Sequence, residues 1–205
     1  MSRLVEQRKT MADKLMRDAI CDAAAAVLAE VGFTVLTMER VAEAAGVSKG
    51  TLYNYFEDKD ALALEVIERT FAPLYVEVDR VLAEDRDIPE ILLDMTRTIL
   101  TGIEQHRALG QVLCGRELSP RLNAALRERH LRARMQFTEM FRRAAAAGRL
   151  RVACADPDAL GRTFAVVLRG VIDERIRYAG DCPSVDDEIL CLERFMIRPW
   201  FTEKT

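Results

Sequence analysis

Apolar residues recur about every three to four positions along almost the whole of this 205-residue chain. Such spacing places them on one face of an α-helix, whereas the alternation that marks a half-buried strand is scarce here. Proline follows a helix-start signal in three places, DIPE, LSPR and ADPD, where its missing N–H costs a helix little. The pattern therefore predicts an all-α protein.

Composition narrows the class of protein further. Half of the residues are apolar, which is enough for one sizeable core. No run approaches the roughly 18 apolar residues of a membrane span, and the charged N-terminus lacks a signal-type apolar segment. We therefore expect a cytoplasmic protein that does not associate with a membrane.

The cysteines are isolated single residues, without the paired spacing of a zinc site or of a disulfide framework. We expect reduced thiols and no bound metal. A redox sensor is the less favoured alternative, because no cysteine has an obviously electropositive surrounding that would lower its pKa. The five cysteines are Cys21, Cys114, Cys154, Cys182 and Cys191.

Caps and breakers predict where the helices begin and end. The first predicted helix ends at Gly32, and Thr37 N-caps a second. Ser48 caps a third, very short helix. Asp58 caps a fourth, in which Pro73 predicts a kink. The remaining predicted helices lie near 89–106, 108–116, 120–147, 157–179 and 185–197, the last of them stopped by Pro199.

Residues 38–56 have the spacing of a helix-turn-helix. Ala42 is small at the place where two crossing helices meet, and Gly46 can adopt the positive φ of the turn. Val47 and Leu52 can anchor the second helix inward. None of these features is specific alone, but together they predict this motif.

The second helix of the motif carries the polar side chains through which a recognition helix meets base edges and phosphates. Gly50 would let its backbone approach DNA closely. Tyr55 and Phe56 are expected to pack inward, because two helical turns need tertiary anchors. Tyr53 and Asn54 are expected to point outward, although a core position for Tyr53 is the open alternative. The polar candidates are Ser48, Lys49, Thr51 and Asn54.

The segment TMERVAEAAGVSKGTLYNYFEDKDAL resembles the DNA-binding signature of the TetR family of bacterial transcriptional regulators. The resemblance covers residues 12–65. It implies a homodimer in which residues 1–56 bind an operator and residues 57–205 bind a small-molecule inducer and dimerise through the last two helices. By position, it also implies a phosphate contact for Lys59. The DNA-facing positions that it implies are Thr37, Ser48, Lys49, Gly50, Thr51, Tyr53 and Asn54.

Charge restricts any attraction to DNA to a local surface, because the formal net charge is -3. Residues 1–60 hold eight Lys and Arg residues against ten Asp and Glu residues. The stretch 44–56 nevertheless contains Lys49 and no acid, and the N-terminus adds Arg3, Arg8 and Lys9. We therefore predict that this stretch binds a palindromic operator sequence-specifically. The resemblance to the TetR family implies repression as the more usual role.

Wide apolar arcs on the last two long helices predict the dimer interface. One such surface can face the protomer's own core, and the remainder needs a partner. Small side chains beside the arc would permit close approach. The predicted interface residues are Leu160, Gly161, Phe164, Ala165, Leu168, Ile172, Ile189, Leu192, Phe195 and Met196.

Helices 89–106 and 120–147 carry apolar stripes that could line an inducer cavity, each interrupted by one histidine. That composition favours a mostly apolar ligand with a hydrogen-bonding end. The open alternative is that these side chains are ordinary core. The candidate ligand residues are Met95, Ile99, Ile103, His106, His130, Phe137 and Phe141.

Two other classes of protein compete with this interpretation. An enzyme is disfavoured, because the chain has only two histidines and lacks the G-x-S-x-G, H-E-x-x-H and Gly-rich phosphate-loop motifs. We accordingly predict no catalytic residues and no cofactor. A helical protein-interaction module that does not touch DNA is the second alternative, and binding to a pool of random operators separates it from a repressor.

Overall fold

The computed structural model describes residues 3–113, 118–151, 156–178 and 180–202. Within these ranges the regular structure is helical, apart from one isolated bridge between Leu150 and Phe201, so the all-α prediction is confirmed. The helices are α1 (Arg3–Val35), α2 (Met38–Ala44), α3 (Lys49–Tyr55), α4 (Lys59–Leu82), α5 (Ile88–Gln105), α6 (Arg107–Leu113), α7 (Pro120–Ala146), α8 (Pro157–Arg177), α9 (Val185–Leu192) and α10 (Arg198–Trp200).

The first compact unit contains the chain up to Phe71 together with Ala108–Asn123. Its core is filled by side chains from every helix of the unit's N-terminal part. Because α2 and α3 have only two turns each, they depend on this core for their stability. Fully buried side chains of this core are Ile20, Leu28, Val41, Leu52, Leu62 and Leu122.

Glycines with positive φ end the helices of this unit where the sequence predicts. Gly32 has φ 74°, so the regular part of α1 stops there, before one last turn to Val35. Gly46 has φ 66° and follows α2. The amide of Val47 then donates to the carbonyl of Ala42 at 2.9 Å, which satisfies a carbonyl that the end of the helix leaves free.

The second compact unit contains Ala72–Arg107 and Ala124–Thr205. Its core is rich in aromatic side chains contributed by α7, α8 and the C-terminal residues. The rings of Phe137 and Phe164 meet edge to face with centroids 5.0 Å apart, and Phe141 contacts Trp200 at 5.7 Å. Aromatic pairs of this kind add to the stability that comes from apolar burial.

The two compact units divide the chain after Phe71, whereas the functional boundary predicted from the sequence lies near residue 57. Compactness does not say which residues bind DNA or a ligand. The division into DNA-binding residues 1–56 and ligand-binding residues 57–205 therefore stays a prediction.

The C-terminal part differs from the sequence-based expectation. Pro199 does not stop the preceding helix, because α9 ends at Leu192 and a π-helical turn, Glu193–Ile197, follows it. Pro199 then lies in the first turn of α10, where proline needs no hydrogen-bond partner for its nitrogen. None of the helices in the described ranges combines the length and apolar character that a membrane span requires.

Candidate nucleic-acid interface

Hydroxyl caps begin both helices of the helix-turn-helix. Ser48 Oγ accepts a hydrogen bond from the amide of Thr51 at 3.0 Å and lies 2.8 Å from Thr51 Oγ1. Thr37 Oγ1 accepts from the amide of Arg40 at 3.3 Å. Each cap satisfies an amide that the first helical turn leaves without a partner. Both predicted caps are confirmed.

The recognition helix α3 has a buried face and an exposed face. Leu52 and the following Phe56 are buried, whereas Tyr53 is 45% exposed and Asn54 is also exposed. The outward orientation predicted for Tyr53 and Asn54 is therefore confirmed. Tyr55 is half-buried, and its hydroxyl donates to Asp13 Oδ1 at 3.4 Å.

The remaining candidate DNA contacts on α3 also lie on its outer side. Lys49 and Gly50 are exposed and Thr51 is half-buried. A Cβ added at Gly50 would meet only Ser48 Oγ, at 3.8 Å, so packing within the chain does not require glycine there.

An ion pair lies on the surface formed by α2 and α3. The ammonium of Lys49 contacts the carboxylate of Glu39 in the first turn of α2, and it lies 5.8 Å from the centre of the Tyr53 ring. Lys49 lowers the pKa of Glu39, and Glu39 raises the pKa of Lys49. Both groups therefore carry their full charge around neutral pH.

Arg17 of α1 fastens the C-terminal end of α3, which sequence reasoning missed. Its Nη1 donates to the carbonyl of Tyr55 at 3.2 Å, and its Nε donates to Glu65 Oε1 at 2.6 Å. The guanidinium also lies 4.5 Å from the centre of the Phe56 ring. One side chain thus joins α1, the end of α3 and α4.

The start of α4 is fixed by two further contacts. Asp58 Oδ1 accepts from the amide of Ala61 at 2.7 Å, which confirms the predicted cap, and Asp58 Oδ2 lies 3.1 Å from Nη1 of Arg121. The ammonium of Lys59 lies 4.6 Å from the centre of the Phe33 ring. The lysine expected to contact phosphate is therefore held near an aromatic face in the free protein.

The described cysteines are single free thiols. Cys21 is buried, and burial raises the pKa of its thiol, which favours the unreactive protonated form. Cys182 and Cys191 are free thiols, whereas Cys114 and Cys154 lie outside the described residues. Among the residues that the structure describes, no group of three or more metal-ligating side chains is close enough to hold an ion.

The candidate ligand residues are only partly brought together. Met95, Phe137 and Phe141 are buried in the core of the second unit, and Ile99 packs against it. Ile103 and His106 are half-buried. His130 is exposed, with its Nε2 3.1 Å from Nη1 of Arg169; partial desolvation of the ring, followed by that charge, lowers the pKa of His130.

Two surface clefts of the second unit lie at other residues. One, of about 360 Å³, is lined by residues that include Val171, Arg175 and Glu188, and the other, of about 670 Å³, includes Met135 and Arg142. The candidate ligand residues line neither cleft.

The candidate dimer residues divide into a buried set and an exposed one. Phe195 is 78% exposed, and Ala165, Ile172 and Met196 are half-buried. A Cβ on Gly161 would lie 2.5 Å from Cα of Thr138, so this glycine permits close packing of α8 on α7 within one chain. The residues buried within their own protomer are Leu160, Gly161, Phe164, Leu168, Ile189 and Leu192.

Known proteins resemble this chain either in fold or over part of its sequence. The SmeT–triclosan complex is 21% identical in sequence, with a TM-score of 0.74 over 92% of this chain and 93% of SmeT. KstR, an HTH-type transcriptional repressor of Mycolicibacterium smegmatis, is 36% identical over 69 residues, 34% of each chain. The nucleoid occlusion factor SlmA of Aliivibrio fischeri is 25% identical over 130 residues, 62% of this chain. The matched segments span 66% of SlmA and 34% of KstR.

The capped helices α2 and α3 and the turn at Gly46 form a helix-turn-helix on an all-α scaffold. Residues 20–66 match the family model of the bacterial regulatory proteins of the tetR family. Residues 20–66 thus resemble the N-terminal segment of the TetR family, and the resemblance inferred from the sequence is confirmed.

Proposed function

We propose that the protein is a homodimeric, cytoplasmic transcriptional repressor that binds a palindromic operator and is released from it by a small, mostly apolar ligand. The observation that carries this proposal is the recognition helix capped by Ser48. Its buried face fixes its position in the first unit, and its outer face presents polar side chains that can meet base edges and phosphates.

The proposed contacts with DNA divide into two kinds. Lys49 and Lys59 would contact phosphates, which position the protein without reading sequence. Thr51 and Asn54 would meet base edges in the major groove, while Tyr53 would donate to phosphate. The caps Thr37 and Ser48 place hydroxyls at the same surface, and Gly50 lets the backbone of α3 approach the duplex.

Dimerisation would supply the two-fold symmetry that a palindromic site requires. Two recognition helices must reach half-sites about one helical turn, roughly 34 Å, apart or a multiple of that distance. Large apolar side chains remain exposed on α8, α9 and the π-helical turn, notably Val166, Leu190 and Phe195. We propose that these side chains are covered by a second copy of the chain, with Ala165, Ile172 and Met196 beside them.

A ligand would bind in the second unit, among the apolar and aromatic side chains of α5 and α7. SmeT, which has the same fold, is the repressor of the Stenotrophomonas maltophilia multidrug efflux pump SmeDEF and has been solved with triclosan. That likeness and the core around Phe137 and Phe141 support an apolar, partly aromatic ligand. His106 and His130 would provide polar groups at the edge of the site.

Selection from a pool of random duplexes tests the proposal. We expect a palindrome to be enriched and to bind far more tightly than random DNA. Equal binding to all sequences, or no binding, would contradict the proposal and favour the alternative of a protein-interaction module.

A further inference from the structure

The ion pair between Glu39 and Lys49 joins a carboxylate to the cation that α3 offers to DNA. Glu39 lies in the first turn of α2, and Lys49 begins α3. Their side chains are 59% and 54% exposed, so neither is committed to the core. The contact therefore contributes little to the stability of the fold, because exposed ion pairs are weak. Its main effect is on the charge that this surface presents to other molecules.

The charge of this surface depends on the state of that pair. Lys49 is the only basic residue between positions 44 and 56, and that stretch holds no acid. While Glu39 holds Lys49, the two charges cancel. A phosphate that binds the Lys49 ammonium competes with the Glu39 carboxylate for the same positive charge, and the two anions repel each other when both are close to it. Binding to DNA through Lys49 is therefore opposed by Glu39.

We propose that Glu39 is a specificity-determining residue that suppresses binding to random sequences by competing with phosphate for Lys49. On random DNA the phosphates are held at no fixed position relative to α3, so a phosphate contact at Lys49 adds little binding free energy. At an operator, base contacts hold α3 in register and place one phosphate at Lys49, which compensates for the loss of Glu39. The inference rests on the proposed binding of DNA through α3.

Glu39→Gln tests the inference, with Glu43→Gln as the matched control. Glu43 lies one turn further along α2, is also exposed, and loses the same charge, but it is not the partner of Lys49. We would measure affinity for random duplex and for the selected operator by fluorescence anisotropy across a salt series.

We expect Glu39→Gln to raise affinity for random DNA several-fold more than Glu43→Gln does, so that the preference for the operator falls. Lys49 would then be free to neutralise one more phosphate of random DNA. The slope of log affinity against log salt should steepen by about 0.9 for Glu39→Gln relative to the control. Equal effects of the two substitutions on affinity and slope would overturn the inference.

A second comparison removes Lys49 itself. In a Lys49→Met background, Glu39→Gln should raise affinity for random DNA no more than Glu43→Gln does. An excess that persists without Lys49 would overturn the inference, because Glu39 would then act through something other than this lysine. A wild-type protein without preference for any operator would contradict the proposed function, whereas equal effects in a protein that does prefer its operator would contradict only the role of Glu39.

Discussion

The guanidinium of Arg17 donates to the main-chain carbonyl of Tyr55, the last residue of the recognition helix, at 3.2 Å. Carbonyls in the last turn of a helix have no partner within the helix. Arg17 supplies one and also forms two contacts with the carboxylate of Glu65 on α4. That pairing lowers the pKa of Glu65, so the carboxylate stays ionised around neutral pH. The short α3 is thereby fixed at its C-terminal end as well as at its cap.

We expect Arg17→Lys to loosen the end of α3. Lysine keeps the charge but lacks the planar fork that reaches Tyr55 and Glu65 at the same time. Amide exchange at Phe56, whose N–H donates to the carbonyl of Leu52 at 3.0 Å, should become faster, and operator affinity should fall about tenfold. Hydrogen exchange resolved by NMR measures the first effect. Arg8→Lys, in the exposed N-terminal part of α1, is the control; equal exchange rates in both variants would refute the positioning role.

The cap of α3 gives a prediction that separates stability from DNA contact. Ser48→Ala should lower the free energy of unfolding by about 1 kcal/mol, because the amide of Thr51 loses its partner. Ser48→Asp should restore the cap and the stability but place a negative charge against phosphate. Thermal unfolding and operator affinity are measured for both variants. An aspartate variant that binds the operator as well as wild type does would show that Ser48 does not face DNA.

Gly50→Ala should improve folding and impair function. Alanine favours a helix over glycine by up to about 1 kcal/mol, and the nearest atom to the new Cβ would be Ser48 Oγ, at 3.8 Å. The melting temperature should therefore rise. The methyl group would, however, keep the backbone of α3 away from the duplex, and affinity should fall at least several-fold. Unchanged affinity in the stabilised variant would rule out close approach at Gly50.

Two neighbouring apolar residues should respond differently to the same charge. Phe195→Glu should leave a folded monomer, because this side chain is exposed and is proposed to face the partner. Leu192→Glu should destabilise the protomer by about 3 kcal/mol or more, because the carboxylate would be buried without a partner. Sedimentation velocity and thermal unfolding separate the two outcomes. A Phe195→Glu protein that remains dimeric at micromolar concentration would place the interface elsewhere.

Most of the fold could be predicted from local features of the sequence. Hydroxyl caps such as Thr37 and Ser48 accept hydrogen bonds from amides within three residues, and Gly46 adopts the positive φ of the turn by itself. Each of these features can therefore be predicted from the local sequence. The role of Arg17 is not, because it joins residues 38 and 48 positions away, one of them through a main-chain carbonyl. No side-chain pattern marks such a carbonyl.

The dimer surface could be predicted less well, because an apolar stripe does not say which of its members face the same chain. Leu192 and Phe195 share a stripe under regular helical spacing, yet only Phe195 is exposed. The π-helical turn after Leu192 adds a residue to the turn and changes the direction of the side chains that follow. Gly161 likewise permits a close contact with Thr138 of the same chain. Its small size alone could not show whether that contact lies within one chain or between two.

The central claim, that α3 reads DNA sequence, is tested most directly by repeating the operator selection with Asn54→Ala. The side chain is exposed on α3, so the fold should be unaffected. The account predicts that the enriched palindrome changes or relaxes at symmetry-related positions in both half-sites, with the rest of the site retained. An unchanged consensus, bound with wild-type affinity by Asn54→Ala and equally by Thr51→Val, would contradict it.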